Sequence, residues 1–129
     1  TEAPMLSKRI WGSHKIEGIG DGFVPRNLDV SMLDGVVTVS SNDAIYYAKQ
    51  LMLKEKILAG ISSGANVAAA VKVAKRHPEL KHIAVMMNDS AMRYFTTELF
   101  DVKKVVEIPE REHPMDEYTK EQSKWEVME

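Results

Sequence analysis

No cysteine occurs among the 129 residues of this chain. That excludes disulfides, zinc–thiolate sites and a cysteine nucleophile, and it suits a reducing compartment, so a cytoplasmic location is expected. No apolar run is long enough to span a bilayer, and the first residues do not read as a signal peptide, so no membrane partner is expected. An excess of one charge is missing too. Seventeen Lys and Arg stand against 19 Asp and Glu, a net charge of −2. No basic face is implied, and nucleic acid is not an expected partner. No HExxH, paired-histidine or carboxylate cluster is present, so no metal site is expected. The chain opens at Thr1 without an initiator methionine, which reads as a boundary rather than the start of a gene.

What is present is 44% hydrophobic residues, enough for one compact domain. Glycines and turn signals punctuate residues 1–35. Val36-Val37-Thr38-Val39 then reads as a short buried strand. Ser40 with Asp43 three residues on is a capping-box-like helix start, and Ile45, Ala48 and Met52 continue at helical spacing. Ile57 to Ile61 reads as the next strand, and a helix is predicted from about Ala65 to Arg76. Its end carries Lys72, Lys75, Arg76 and His77, cations suited to the negative end of the helix dipole, before Pro78 stops it. Ile83-Ala84-Val85-Met86-Met87 reads as a third buried strand, with Asn88-Asp89-Ser90 as a cap. Met92, Phe95 and Leu99 mark a third helix, and Val105, Val106 and Ile108 a last short strand. Residues 109–129 are a charged tail, expected to be loosely packed or helical surface, against a unit over 1–108. Apolar strands alternating with helices imply an α/β fold with an open, mostly parallel twisted sheet flanked by helices. Ligands of such sheets gather at the carboxyl ends of the strands, where the turns at Ser62–Gly64 and Asn88–Ser90 fall.

Three features carry candidate chemistry. In Gly60-Ile61-Ser62-Ser63-Gly64 two hydroxyls stand between glycines at the start of a small-residue helix, where backbone N–H groups point outward. A plain helix cap is the default reading of that spacing. The glycines would also let a ligand ring or phosphate approach the backbone. Gly18-Ile19-Gly20-Asp21-Gly22 looks like a phosphate loop but lacks the G-x-G-x-x-G spacing and a clear strand and helix around it, so a backbone held close to another segment, or a hinge, is the preferred reading. Of the histidines, His77 and His82 read as surface residues, His113 lies in the tail, and His14, beside the glycine loop, reads as structural. Ser62 and Ser63 lack the G-x-S-x-G frame of a hydrolase. The methionines read as core filler.

Three longer stretches together carry a resemblance: residues 14–25 (His-Lys-Ile-Glu-Gly-Ile-Gly-Asp-Gly-Phe-Val-Pro), residues 60–71, and Arg93-Tyr94-Phe95-Thr96-Thr97-Glu98-Leu99-Phe100. Over residues 10–102 the chain resembles the C-terminal part of the cysteine synthase/cystathionine β-synthase family, fold-type-II pyridoxal-phosphate enzymes. The resemblance implies pyridoxal 5′-phosphate as cofactor, a small amino-acid substrate and a homodimer. It makes Ser62 the cofactor-binding residue, at the pyridine nitrogen. A neutral hydroxyl there would leave the cofactor a milder electron sink, suited to β-elimination from an activated serine. Gly18, Gly20 and Asp21 would line the substrate cleft. The family's Schiff-base lysine, substrate-carboxylate loop and phosphate cup would all lie upstream of Thr1. No catalytic lysine is therefore assigned in this chain, Lys15 included, and the lysine is expected from an upstream part or a second chain. A chain lacking that part would expose apolar surface and be prone to association.

Two departures from the family pattern bear on chemistry. The usual Pro-Ser-x-Gly-Glu before Arg-Tyr is here Asn88-Asp89-Ser90-Ala91-Met92, which leans towards cystathionine β-synthases, whereas His14-Lys15-Ile16 leans towards cysteine synthases. Asp21, at a cleft position, would disfavour an anionic nucleophile such as hydrosulfide and tolerate a cationic amino acid. The expected function is thus part of a β-replacement enzyme making cysteine from an activated serine and sulfide. The alternatives are a cystathionine β-synthase or cyanoalanine-type activity, and an isolated non-catalytic α/β domain.

Overall fold

The computed structural model describes residues 12–20, 22–101, 117–121 and 127–128. Ser40 starts the first helix, α1 (Ser41–Gln50), by accepting a 3.0 Å hydrogen bond from the Asp43 N–H. That satisfies one of the donors a helix start leaves open. The helix continues through a π-helical turn over Leu51–Glu55 and ends where Lys56 adopts a left-handed φ of 61°. The Ile57 N–H then bonds back to the Leu51 carbonyl at 3.1 Å, closing the C-terminus as a reversed turn does. Ile45 and Ala48 are buried and Met52 partly so, as their spacing predicts.

The second helix, α2 (Ile61–Arg76), begins four residues earlier than its apolar periodicity suggests. Ser62 and Ser63 therefore lie inside its first turn, not on a strand or a cap before it. The two helices touch through small residues. A Cβ on Gly64 would stand 2.1 Å from the Ala44 carbonyl and 2.6 Å from the Ala48 nitrogen, so glycine lets the backbones approach closely. Ile16, Ile45, Ile61, Tyr94 and Leu99 complete one core around this crossing, with Val39, Met52 and Phe100 at its margin.

The chain is α/β. Strand β1 (Val36–Val37) pairs parallel with β2 (Val127–Met128), in the register Val36 to Val127 and Val37 to Met128. The Lys72 amine bonds the Thr38 carbonyl at 2.9 Å, tying α2 to the end of β1. Two further strands that the apolar runs predict are not formed as ladders among the described residues. Residues 57–60 and 83–87 run without a strand ladder, and the former's pairing is an isolated antiparallel bridge between Ala59 and Ser90. A continuously apolar run becomes a central strand only where neighbours cover it. Here Ile83, Met86 and Met87 are exposed.

The third predicted helix is two 3-10 turns, Ala91–Tyr94 and Glu98–Phe100. Thr97 separates them. Its hydroxyl donates to the Tyr94 carbonyl at 2.7 Å and accepts from the Leu99 N–H, so it competes with helical bonding and caps a fresh turn. Only Leu99 of the expected stripe is buried, while Met92 and Phe95 face outward. From the charged tail, α3 (Glu117–Glu121) is short, and its Thr119 is buried and accepts a 2.9 Å bond from the Val24 N–H. The strand read at Val105, Val106 and Ile108 lies outside the described residues.

Candidate functional site

The segment 86–89 lies across the first two turns of α2 and is held there by polar bonds. Asn66 donates from Nδ2 to the Met86 carbonyl at 2.9 Å, and the Asn88 N–H donates to Ser63 Oγ at 2.9 Å. The Gly60 N–H donates to the Asp89 carbonyl at 3.0 Å and the Ala91 N–H to the Leu58 carbonyl at 3.0 Å, flanking the Ala59–Ser90 bridge. Ser90 caps the next turn by accepting from the Met92 N–H, the role its position in the sequence suggests.

These bonds bring the Asp89 carboxylate onto the two serines. Ser62 and Ser63 each donate to Asp89 Oδ1 at 3.2 Å, and the Tyr94 hydroxyl donates to Oδ2. Burial and then the bond to Asp89 push the Tyr94 hydroxyl above the ordinary tyrosine range, with the negative charges of Asp89 and Glu17 adding to the effect. Gly60 makes the arrangement possible, because a Cβ there would stand 2.3 Å from Asp89 Oδ1. Asp89 is the hub that reading the sequence for motifs overlooks. The available signal was a carboxylate ending an apolar run, at a position where the resembling family has serine.

The two serines are not equivalent. Ser63 is fully buried and both donates, to Asp89, and accepts, from the Asn88 N–H. Ser62 is 6% exposed, and among the described residues its hydroxyl makes only the bond to Asp89. A serine oxygen carries two lone pairs as well as its proton. Ser62 thus holds a buried acceptor next to the N–H groups of a helix start, with no partner among the described residues.

The glycine loop sits beside this cluster. Ile16, just before it, is buried in the same core as Ile61 and Tyr94, and Glu17 lies close enough to act on the Tyr94 hydroxyl. Gly18 and Gly20 have φ of 81° and 71°. A Cβ on Gly20 would stand 2.5 Å from His14 Nε2, whereas Gly18 has nothing within 4 Å. The close approach at Gly20 is therefore to the His14 ring. His14 Nδ1 in turn accepts from the Ile16 N–H at 3.2 Å, which locks the ring under the loop. Asp21 lies outside the described residues. Lys15 pairs with Glu98 at 2.6 Å, and both are about half exposed, so its amine is a solvated cation rather than a buried nucleophile.

Other groups stand apart. His77 and Glu79 form an exposed pair at 3.0 Å. A groove lined by Asp34, Val37, Val73, Arg76, His77 and Leu80 lies at the far end of α2, roughly 20 Å from Ser62 at 1.5 Å per helical residue. Among the described residues no three histidines, aspartates or glutamates gather as a metal site. No helix among them is long and apolar enough to cross a membrane.

The family model described as pyridoxal-phosphate dependent enzyme matches residues 2–89, which include the glycine loop, both serines and Asp89. The chain belongs to the pyridoxal-phosphate-dependent enzyme family. It is similar to a cysteine synthase of Buchnera aphidicola subsp. Schizaphis graminum, 54% identical over 106 residues that make up 77% of this chain and 33% of the relative. It is 52% identical to cysteine synthase B of Campylobacter jejuni, over 76% of this chain and 32% of that one. The chain therefore spans about a third of the length of these curated relatives. Among solved structures it resembles an O-ureido-L-serine synthase, with a TM-score of 0.74 at 38% identity over 84% of this chain and 34% of that one. It also resembles a cysteine synthase of Entamoeba histolytica, with a TM-score of 0.73 at 31% identity over 80% and 31%.

The residues present fit one end of this family's cofactor. A pyridine ring nitrogen needs a single small polar partner, and Ser62 offers a buried oxygen at a helix start with an open lone pair.

Proposed function

We propose that this chain is the part of a pyridoxal-phosphate-dependent β-replacement enzyme that holds the ring-nitrogen end of the cofactor, in an enzyme that makes cysteine from an activated serine and sulfide. The observation that carries the reading is Ser62: buried, beside the N-terminus of α2, and among the described residues bonded only to Asp89, with an acceptor lone pair left over. The 54% and 52% identities to cysteine synthases support the choice of reaction. The cofactor supplies an electron sink for the carbanion formed at the amino acid. In this chain Ser62 would bind the ring nitrogen, and Ser63, Asp89 and Tyr94 would hold Ser62 in place. Gly18 and Gly20 would line the substrate side, with Gly20 packed on the His14 ring, and the resemblance assigns Asp21 to the same cleft. The Schiff-base lysine and the phosphate cup belong to the remaining two thirds of such an enzyme. Cytoplasmic location and a homodimer are part of this reading.

A second reading has a specific observation behind it. Asp89-Ser90, where many cysteine synthases have another pair, leans towards enzymes that add an amino-acid thiol, and cyanide is a third candidate nucleophile. The test is the complete enzyme, loaded with pyridoxal phosphate and given an activated serine with sulfide, an amino-acid thiol or cyanide in turn. Cysteine formation at the highest kcat/KM supports the first reading, and a preference for either other nucleophile replaces it. Native mass spectrometry gives the prior answer. Absence of a bound cofactor mass from the complete protein overturns both and leaves a non-catalytic domain.

A further inference from the structure

The glycine loop is fastened at both ends by buried side-chain hydroxyls, and neither belongs to the loop. At its entry the Lys15 N–H donates to Ser41 Oγ, on the first residue of α1, at 3.0 Å. At its exit the Val24 N–H donates to Thr119 Oγ1, in α3, at 2.9 Å. Thr119 is 1% exposed and Val24 2%. A buried main-chain N–H that loses its acceptor bears the full cost of having left water, so the exit bond resists release of the loop. The Lys15–Glu98 ion pair is about half exposed and adds little at the entry.

Val24 supplies the last main-chain donor of this stretch before Pro25, which has no N–H to give. The Pro25 carbonyl already belongs to the next turn, accepting from the Leu28 N–H at 3.0 Å. Between the two anchors Gly18, Gly20 and Gly22 hold positive φ, at 81°, 71° and 82°. Glycine takes either sign of φ readily, so these positions do not by themselves keep the loop in one shape. Ile19 and Phe23 are exposed, so their side chains do not pin its middle to the core. The course of the loop therefore depends on where its ends are tied.

Thr119 stands 95 residues from Val24 and outside residues 2–89, over which the family model matches. We propose that Thr119 is a positioning residue: it ties the exit of the glycine loop to the C-terminal segment, and through that loop sets how tightly the amino-acid substrate is held. This rests on the reading of Gly18 and Gly20 as the substrate side of the cleft. Thr119 acts through the backbone of the loop, so it governs binding rather than turnover. Where the binding-competent arrangement is populated only in part, apparent affinity falls by that fraction.

The experiment uses the complete enzyme with Thr119→Val, which keeps the side-chain shape and removes the hydroxyl, and Thr119→Ser, which keeps the hydroxyl. Two quantities are measured: hydrogen–deuterium exchange at the Val24 amide without substrate, and steady-state kinetics with the activated serine. In Thr119→Val the Val24 amide should exchange about tenfold faster while the amides of α1 hold, and KM for the activated serine should rise about tenfold with kcat within about twofold. Thr119→Ser should restore both. Faster exchange throughout α1 with a matching loss of kcat would mark a merely structural residue and overturn the inference. An unchanged Val24 amide in Thr119→Val overturns it too. So does a fast-exchanging Val24 amide in the parent, whether or not the variant folds. Faster exchange with an unchanged KM also overturns it, and Gly20→Ala then separates two cases. A raised KM in Gly20→Ala leaves the cleft reading standing and removes only the role of Thr119. An unchanged KM in both variants removes the cleft reading itself.

Discussion

Gly60 and Asp89 are matched as space and filler: a Cβ on Gly60 would lie 2.3 Å from one Asp89 carboxylate oxygen and 2.4 Å from the other. The φ of Gly60 is −78°, which any residue adopts, so glycine is needed here for room rather than for backbone freedom. Gly60→Ala should displace Asp89 and break its bonds to Ser62, Ser63 and Tyr94 together. We expect a loss of about 2–4 kcal/mol of stability, from crowding and from buried hydroxyls left without an acceptor. Urea unfolding checks it. A loss below about 0.5 kcal/mol would show that Asp89 moves aside freely.

The two serines should separate in the same assay. Ser63→Ala removes a fully buried hydroxyl together with its bonds to Asp89 and from the Asn88 N–H, and should destabilise by about 1–2 kcal/mol. Ser62→Ala removes one bond from a site that is 6% exposed and should destabilise by less, about 0.5–1.5 kcal/mol. The reverse order would mean that Ser62, not Ser63, is the brace.

Gly18 and Gly20 share a left-handed backbone but differ in surroundings. Alanine at Gly18 meets nothing and should cost only the conformational penalty of about 1–2 kcal/mol. Alanine at Gly20 meets His14 Nε2 at 2.5 Å as well, and should cost more. A double-mutant cycle with His14→Ala should recover the excess, giving a coupling of about 1 kcal/mol or more. Zero coupling would place the His14 ring elsewhere in solution.

Gly64 is tied to the helix crossing. Its Cβ would strike the Ala44 carbonyl, which is backbone and cannot rotate away. Gly64→Ala gains helix propensity of about 1 kcal/mol yet should destabilise overall by about 1–3 kcal/mol, because α1 and α2 must separate. Differential scanning calorimetry should show a lower Tm, and a higher one would refute the close crossing.

Alkaline pH should reveal Tyr94. Its hydroxyl is held above the ordinary tyrosine range by burial and by Asp89, so the folded state keeps a proton that the unfolded chain releases. The stability this contributes is fully present below the unfolded tyrosine pKa of about 10 and is lost as the pH rises above it. In an ultraviolet titration, one of the four tyrosines should ionise only above the others or together with unfolding. Tyr94→Phe should abolish that late step. Its persistence in the variant would assign it to another tyrosine.

The elements that local chemistry governs were legible in the sequence. Ser40 followed by Asp43 marked the start of α1, and Ile45, Ala48 and Met52 its buried face, because a cap and a 3.6-residue period depend only on near neighbours. Glycines at 18, 20 and 22 marked a loop with left-handed backbone, which other residues adopt only at a cost. The glycine–serine run pointed to the start of α2. The sequence also carried the family resemblance, through those same stretches.

What tertiary structure decided depended on segments far apart in the chain. Residues 83–87 have the composition of a buried strand, but strand formation needs partners, and in the described residues they form no ladder, Met86 being held instead by Asn66 of α2. Gly64 looked like room for a ligand and proved to be room for α1, since what approaches a glycine cannot be read from the glycine. Asp89 stands 26 residues from Ser63 and 27 from Ser62. Nothing local requires it to meet either. Only the fold, by laying the 86–89 segment over the first turns of α2, turns a cap-like aspartate into the acceptor that orients both hydroxyls.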